Sequence, residues 1–378
     1  MKGKLTIMKI LILTNNVDGI YLFRRELVQG FTAKGREVVI ALPKEGDFAK
    51  LEALGARLTE VSMERRGTNP IKDGRLLYEY MKLMRKERPD VVLTYTIKPN
   101  IYGGMAASML GIPYLVNITG LGTAIQRGGI LADNILKLYS LACNNAKCVF
   151  FQNKDNMTFM KKHKIGLKKS VLLPGSGVNL VEHPYTPYPS EKEGIRILSV
   201  FRIMKDKGIE EYLEMVEDVK ESSIGEKLSF ELIGEYEPET REEYEPKLKR
   251  LVEKGMLKYY GYSEEVFRIM GQSHIILHPS YHEGLSNVLL EAASCGRPVL
   301  ASYIPGCKEA FRQGISGMGF IPGDASQLER ALREIMAKTE DERRNMGMMG
   351  RALMEKNFDR KLVLQAYEEE IRNAVKKA

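Results

Sequence analysis

Short apolar runs alternate with longer amphipathic stretches through the first 152 residues. The apolar run at 9–14 predicts a strand, Gly19 predicts a turn, and the following pattern predicts a helix at about 21–34 and a strand at 37–42. The same order continues with predicted helices at 74–86, 104–110 and 130–146 and predicted strands at 91–94, 114–117 and 148–152. Strands that alternate with helices favour a parallel sheet covered on both faces.

A second alternating series follows a proline-rich stretch. Pro184, Pro187 and Pro189 lie close together, which is typical of a linker. Beyond them, strands are predicted at 196–201, 229–233, 257–260, 275–277 and 298–301. We therefore predict an α/β protein with two Rossmann-like, doubly wound parallel-sheet domains. The carboxyl ends of the two sheets would face one another across a cleft, where we expect the ligand.

Length and composition agree with two domains. The chain has 378 residues, of which 44% are hydrophobic, and single cores rarely grow beyond roughly 250 residues. Its apolar runs are far shorter than the ~20 residues that span a bilayer, and a secretory signal fits the polar Asn15 and Asn16 poorly, so we expect a cytoplasmic location. Four cysteines without a Cys-x-x-Cys pair indicate reduced thiols. The sequence has no Asp-x-Asp pair, so it does not signal a carboxylate-held metal.

Positive charge is concentrated in the first half of the chain. Residues 1–190 contain 28 Lys and Arg against 15 Asp and Glu, a net +13, whereas the remainder contains 29 against 34, a net −5, which gives the +8 of the whole chain. A basic half indicates an anionic partner, which could be a nucleic acid, a phosphorylated ligand or an anionic membrane. Lysines kept for solubility alone are the simpler interpretation.

The strongest chemical signal is the run from His278 to Asn287, followed by an apolar helix that contains Glu291. The tight turn at 283–286 would open that helix, and the amides of Gly284, Leu285 and Ser286 at its positive end would suit a diphosphate. In a continuous helix, Glu283 and Glu291 would lie about 12 Å apart and about 80° around the axis, so they could bracket a ligand. Two unrelated surface glutamates are the alternative.

A second signal lies at the end of the first strand after the linker. Arg202 and Lys207 are five residues apart in a predicted strand-to-helix turn. Two cations so placed can hold a diphosphate and stabilise the charge that develops on a departing nucleotide. Solvated turn residues are the alternative.

Together with the segment 293–299, these residues resemble retaining glycosyltransferases of family 4, which have the GT-B fold. Within that family, several segments are similar to the PglA-like branch that extends undecaprenyl-diphosphate-linked sugars: 18–24, 98–100, 119–122, 175–178 and 305–307. The resemblance covers almost the whole chain. It implies an acceptor-binding and membrane-facing domain at 1–183, joined by a returning helix at 360–378, and a donor-binding domain at 184–359.

The resemblance also implies roles for the donor site. Arg202 and Lys207 would hold the diphosphate of a UDP-sugar, Glu291 its ribose, and Glu283 the transferred sugar. Gly19 would lie under the donor phosphates. No metal or other cofactor would be required, and the configuration at the sugar carbon would be retained.

Lys98, Asn100 and Thr119 are the candidate acceptor-binding residues, for a sugar carried on a polyprenyl diphosphate. An exposed strand-end lysine with no ligand is an equally simple interpretation of Lys98. Many relatives place a histidine in the first domain near the reacting sugar, whereas the first histidine here is His163. We therefore favour front-face attack, in which the departing phosphate takes the acceptor proton.

Several basic clusters predict peripheral attachment to the inner face of the cell membrane, at about 1 kcal/mol for each residue near anionic lipid. They are Arg65, Arg66, Lys82, Arg85, Lys86, Arg88, Lys161, Lys162, Lys164, Lys168 and Lys169.

Two other functions fit less well. A nucleotide-sugar epimerase of the same architecture would release an altered nucleotide sugar without an acceptor. A nucleic-acid-binding protein is suggested only by the charge of the first half, and the acidic second half argues against it. A dehydrogenase is disfavoured because Ile125 stands where a dinucleotide fingerprint needs its third glycine.

Overall fold

In the computed structural model, residues 7–64, 67, 69–126 and 128–376 are described. The chain divides into two compact units, one of Met1–Ser176 with Leu362–Ala378 and one of Gly177–Lys361. The proline-rich stretch expected as a linker lies inside the second unit. There the Arg297 guanidinium donates to the backbone oxygens of Thr186, at 3.2 Å, and Pro187, at 2.8 Å.

The first unit is built on a parallel sheet in the order β3-β2-β1-β4-β5-β6-β7. Its strands are β1 Lys9–Leu13, β2 Glu37–Leu42, β3 Arg57–Glu60, β4 Val91–Tyr95, β5 Tyr114–Ile118, β6 Cys148–Phe151 and β7 Ser170–Leu172. Its helices up to this point are α1 Val17–Thr32, α2 Ala49–Glu52, α3 Pro70–Glu87, α4 Gly104–Met109, α5 Thr123–Gln126, α6 Gly129–Cys143 and α7 Lys154–Lys162, with a π-helical turn at Pro99–Gly103. Every residue of β4 and β5 is buried, as expected for a sheet covered on both faces.

Helix α1 begins earlier than the pattern predicts. The side chain of Asn16 caps it and accepts a hydrogen bond of 2.7 Å from the amide of Gly19. The predicted turn at Gly19 is therefore wrong, because Gly19 lies in the first turn of the helix. A Cβ there would lie 2.5 Å from Asn16 Oδ1, so the cap leaves little space for a side chain.

The second unit has a parallel sheet in the order β10-β9-β8-β11-β12-β13. Its strands are β8 Ile195–Val200, β9 Leu228–Ile233, β10 Leu257–Tyr259, β11 Ile275–His278, β12 Val299–Ser302 and β13 Gly317–Phe320. Its helices are α8 Ile209–Glu221, α9 Arg241–Glu253, α10 Val266–Gly271, α11 Asn287–Ser294, α12 Ala325–Met336 and α13 Glu340–Asn357. The chain runs outward from β8 on one side and from β11 on the other, so the topology reverses between these two strands. Two Rossmann-like units of this kind confirm the predicted fold class.

The last helix, α14 at Arg360–Lys376, returns the chain to the first unit. Tyr367 is fully buried there. Its hydroxyl hydrogen-bonds the side chain of Asn117 on β5, and its ring lies 4.6 Å from that of Phe150 on β6. Glu368 adds a bidentate ion pair with Arg36. Within the described residues, no helix combines the length and apolar character needed to cross a membrane.

Candidate active site

The candidate site in the second unit lies where β8 and β11 end. In open α/β sheets, ligands bind beyond the carboxyl ends of the strands, at the point where the strand order reverses. The turn that carries Lys207 follows β8, and the loop that carries Glu283 follows β11. The two predicted residues are therefore brought to the same edge of one sheet.

Close backbone packing places the Lys207 turn against the Glu283 loop. Gly208 has a φ of +76°, and a Cβ there would lie 2.1 Å from the backbone oxygen of Pro279. Only glycine fits this contact. The amide of Tyr281 donates to the backbone oxygen of Asp206 at 3.0 Å, which joins the two segments directly.

Three side chains meet at one carboxylate oxygen. Lys207 Nζ lies 2.6 Å from Glu283 Oε1, and His278 Nε2 lies 2.9 Å from the same atom. The side chains of Lys207 and Glu283 are each 16% exposed, and His278 is 2% exposed. Lys207 Nζ also lies 3.4 Å from the hydroxyl of Ser280. This Lys207–Glu283–His278 cluster holds a carboxylate and an ammonium in a mostly buried place.

The cluster keeps Glu283 ionised. Burial alone would raise the pKa of its carboxyl group, but the hydrogen bond from His278 and the charge of Lys207 outweigh burial and lower that pKa to about 2. Burial also raises the pKa of the neighbouring Cys307 thiol well above its usual value. Glu283 is therefore a carboxylate near neutral pH, and Cys307 a protonated thiol.

Arg202 is paired with a different carboxylate. It follows β8 and forms an ion pair with Glu237, which comes shortly after β9. The side chain of Arg202 is mostly exposed, whereas that of Glu237 is mostly buried. The two predicted cations thus belong to separate ion pairs in this structure.

Glu291 lies in α11, beyond the turn that carries Glu283. Because α11 begins at Asn287, the helical spacing assumed between the two glutamates is wrong. Glu291 Oε1 lies 3.9 Å from His183 Nε2. The other nitrogen of His183 lies 3.1 Å from the backbone oxygen of Asn179, and its ring packs edge-on against Phe267 at 4.8 Å.

The turn before α11 is only partly available to a ligand. The amide of Ser286 donates to the backbone oxygen of Gly306 at 2.8 Å, so its predicted use for a phosphate conflicts with this bond. Leu285 is buried in the core of the unit. Gly306 has a φ of +90°, and a Cβ there would lie 2.5 Å from the backbone oxygen of Glu283, so the loop after β12 supports the turn. Gly284 remains a candidate for close backbone approach.

The predicted residues of the first unit follow β1, β4 and β5. Lys98 Nζ lies 2.8 Å from Asp73 Oδ1, and the hydroxyl of Tyr102 donates to the other oxygen of Asp73 at 3.0 Å. Lys98 is therefore neutralised by a carboxylate in this structure. The amide of Gly19 is engaged by the Asn16 cap, as described above.

The side chain of Asn100 is used to hold the sheet of the first unit together. It is 1% exposed, accepts a hydrogen bond from the Thr94 hydroxyl at 2.8 Å and donates to the backbone oxygen of Asn117 at 2.8 Å. A buried amide with these bonds joins β4 to β5, so direct acceptor contact by Asn100 conflicts with this position. Thr119 follows β5 and is half-buried, and its backbone oxygen accepts a 3.1 Å hydrogen bond from the side-chain amide of Gln152 in the orientation that satisfies that amide.

The sequence interpretation missed the two histidines beside the glutamates. His278 ends β11, and its place at the carboxyl end of a buried strand is a signal that could have identified it. His183 precedes the proline-rich stretch, and its approach to Glu291 depends on a fold that spacing does not reveal. Within the described residues, no group of three or more His, Cys, Asp or Glu side chains is arranged to hold a metal ion.

Two family models match the chain, one for each predicted domain. The model for glycosyl transferases group 1 matches residues 187–353, which include the Lys207–Glu283–His278 cluster. The glycosyl transferase 4-like model matches residues 9–153. Together the two matches take in most of the chain.

Curated relatives match at low identity. A Campylobacter jejuni N,N'-diacetylbacillosaminyl-diphospho-undecaprenol alpha-1,3-N-acetylgalactosaminyltransferase is 24% identical over 95% of this chain and 97% of its own length. An Escherichia coli UDP-Gal:alpha-D-GlcNAc-diphosphoundecaprenol alpha-1,3-galactosyltransferase is 26% identical over 64% of this chain and 65% of its own.

Solved structures share the architecture of the chain. Anabaena HepE in complex with UDP and glucose has a TM-score of 0.79 at 16% identity, over 97% of this chain and all of that one. Sucrose-phosphate synthase from Thermosynechococcus elongatus has a TM-score of 0.80 at 18% identity, over 98% of this chain and all of that one. With the family matches and the two parallel-sheet units, the chain belongs to the group 1 glycosyltransferases of the GT-B type, with a glycosyl transferase 4-like N-terminal domain.

Proposed function

We propose that this protein is a retaining glycosyltransferase that moves a hexose from a UDP-sugar to a sugar carried on undecaprenyl diphosphate, in glycan or polysaccharide assembly. N-acetylgalactosamine, N-acetylglucosamine and related hexoses are the candidate sugars. The observation that carries the proposal is the contact between Lys207 and Glu283 where β8 and β11 end. An ammonium and a carboxylate at this edge suit a ligand that has both a diphosphate and sugar hydroxyls.

The acceptor class is inferred from the relatives. The printed names of the Campylobacter jejuni and Escherichia coli enzymes both describe transfer to a sugar on an undecaprenyl diphosphate. The first of them matches nearly the full length of this chain, which favours a shared class of acceptor. We assign acceptor binding to the first unit through Lys98 and Thr119, and Asn100 supports the strand ends beneath them.

The donor site would act mainly by electrostatics. Lys207 and Arg202 would hold the diphosphate and stabilise charge on the departing UDP, and Arg202 would exchange Glu237 for a phosphate. Glu283 would accept hydrogen bonds from the sugar hydroxyls, and Glu291 from the ribose. The start of α11, with Gly284, would face the phosphates.

The transfer step would proceed on one face of the sugar. The bond from the anomeric carbon to the phosphate oxygen breaks as the acceptor hydroxyl oxygen bonds to that carbon from the same side. The hydroxyl proton passes to the departing phosphate oxygen. This route needs no protein base, in agreement with the lack of a histidine before His163 in the sequence. We propose that it also needs no divalent metal.

A donor screen tests the function. Purified protein is incubated with UDP- and GDP-sugars, with and without undecaprenyl-diphosphate-linked sugars, and nucleotide release and glycolipid are measured, with EDTA in a parallel series. We expect release of UDP that depends on the acceptor, unchanged by EDTA and abolished in a Glu283→Ala variant. An altered nucleotide sugar formed without acceptor would instead identify an epimerase, and loss of activity in EDTA would overturn metal independence.

We further propose that the enzyme attaches to the inner face of the cell membrane. Lys161, Lys162, Lys164 and Lys168 are exposed, and the apolar side chain of Leu167, which is close to them in sequence, is 64% exposed. Lys82, Arg85, Lys86 and Arg88 form a second exposed basic group at the end of α3. Arg65 and Arg66, which the sequence also indicated, lie outside the described residues.

Vesicle sedimentation tests the attachment. The protein should sediment with phosphatidylglycerol vesicles at low salt and be released by raised salt, because screening weakens contacts with charged lipid. Replacing both Lys161 and Lys162 with Glu should weaken binding to the vesicles. It should not change UDP release from the donor when the acceptor is short and water-soluble. Binding that resists salt would indicate a hydrophobic anchor instead.

A further inference from the structure

His278 makes one bond that the donor-site roles above do not use. It is the last residue of β11, and its Nε2 lies 2.9 Å from Glu283 Oε1. The other ring nitrogen, Nδ1, is buried and has no hydrogen-bond partner among the described residues. A buried ring with one satisfied nitrogen indicates that this side chain is kept for the bond to Glu283.

The chemistry of the carboxylate fixes the direction of the hydrogen bond between His278 and Glu283. An ionised carboxylate only accepts hydrogen bonds, so Nε2 must be the donor. Nε2 therefore carries a hydrogen that it directs at Glu283 Oε1.

Two donors from different segments restrain the carboxylate. Lys207 approaches Oε1 from the turn after β8, and His278 approaches it from the end of β11. With Oε1 held at two points, the direction of Oε2 is also set. A polar group that contacts a reacting sugar needs its position fixed to within about 0.5 Å and its orientation to within about 10–20°.

We propose that His278 is a positioning residue for sugar transfer, which acts by holding the Glu283 carboxylate in the orientation that the transferred sugar requires. The inference rests on the proposed function, because it assumes that Glu283 contacts the sugar. It goes beyond that function by assigning a role to a side chain that would touch neither donor nor acceptor.

The test compares His278→Leu, which removes the donor, with His278→Gln, whose amide can restore one near the position of Nε2. Loss of a hydrogen bond to a charged group predicts a fall in kcat of about ten- to a hundredfold in the Leu variant. The Gln variant should recover much of the lost kcat. The KM for the UDP-sugar should stay within about twofold, because His278 does not hold the diphosphate.

A pH profile separates positioning from simple support of the fold. Without His278, Glu283 loses a hydrogen-bond donor, so the acidic limb of kcat should move to higher pH in the Leu variant. Among the described residues, the other titratable groups that interact with Glu283 are Lys207, His282 and Cys307, and all three are unchanged in these variants. The matched control is His274→Leu, which removes an equally buried ring whose hydrogen bonds, within the described residues, go to backbone atoms of Arg196 and Ser190. It should lower the melting temperature without moving the profile.

The outcomes can be told apart. If the unaltered enzyme transfers no sugar from any donor, the proposed function fails, and the inference with it. If the unaltered enzyme is active while His278→Leu keeps its kcat and pH profile, the inference alone is overturned. Should the Leu variant not fold, His278→Asn replaces it, because its shorter amide does not reach Glu283. Equal activity of the Asn and Gln variants would then contradict the role.

Discussion

Replacing Lys207 with Met would test the charge balance of the cluster directly. Methionine keeps most of the side-chain volume and removes the ammonium that lies 2.6 Å from Glu283 Oε1. The fall in the pKa of Glu283 from 4.5 to about 2 corresponds to roughly 3 kcal/mol in favour of the ionised form. Since His278 still donates to the same oxygen, we expect the substitution to destabilise this segment by about 2 kcal/mol at pH 7.

The sign of the pH dependence follows from a carboxyl group whose pKa is lowered in the folded state. Its stabilising contribution is complete above the unfolded value of 4.5 and is lost as the pH falls towards about 2. The difference between the unaltered protein and Lys207→Met should therefore be largest near pH 7 and fall to about half at pH 3.

Hydrogen exchange measured by mass spectrometry on peptides from β11 and α11 suits this protein, because its two compact units need not unfold together. Peptides from the sheet of the first unit provide an internal control and should not change. In a Glu283→Gln background, Lys207→Met should lower the stability of this segment far less, because the carboxylate that Lys207 pairs with is absent. An equal cost in both backgrounds, or a cost independent of pH, would refute the ion pair as the source of the stability.

Two further predictions concern the backbone and the last helix. Gly306→Ala would place a Cβ 2.5 Å from the backbone oxygen of Glu283 and should lower kcat strongly. Gly314→Ala is also at positive φ but has open space around it, so it should affect only stability. Steady-state kinetics on both variants checks this difference. Tyr367→Phe removes the buried hydrogen bond to Asn117 and should destabilise the first unit by about 1 kcal/mol, seen as a lower midpoint in thermal unfolding. An unchanged midpoint would show that this bond contributes nothing.

Much of the fold follows from the apolar pattern, because buried parallel strands are continuous apolar runs. The strands that the pattern missed, β3, β7 and β13, all lie at sheet edges. β3 shows why, since its sequence, Arg-Leu-Thr-Glu, has no buried residue. An edge strand with one face towards solvent has too few apolar positions to stand out from a loop.

Only the parts of the site that follow from the strand order could be predicted from the sequence. The ends of β8 and β11 are adjacent in any sheet of this order, so Lys207 and Glu283 could be expected near each other. The ion-pair partners of Arg202 and Lys98 could not be predicted, because Glu237 and Asp73 lie far from them in sequence. Their approach depends on side-chain geometry. The burial of Asn100 was hidden for a similar reason: an amide suited to a ligand is equally suited to joining two strands.

The return of the last helix determines the order in which the protein can fold during synthesis. Val363, Tyr367 and Ile371 belong to the same core as β1 and β2, yet they are translated after every residue of the second unit. The first unit, although it leaves the ribosome first, therefore waits with an incomplete core while Gly177–Lys361 is made and can fold. Ribosome-bound chains truncated after residue 359, and joined to a linker that fills the exit tunnel, should thus contain a protease-resistant second sheet beside a first sheet that is still sensitive.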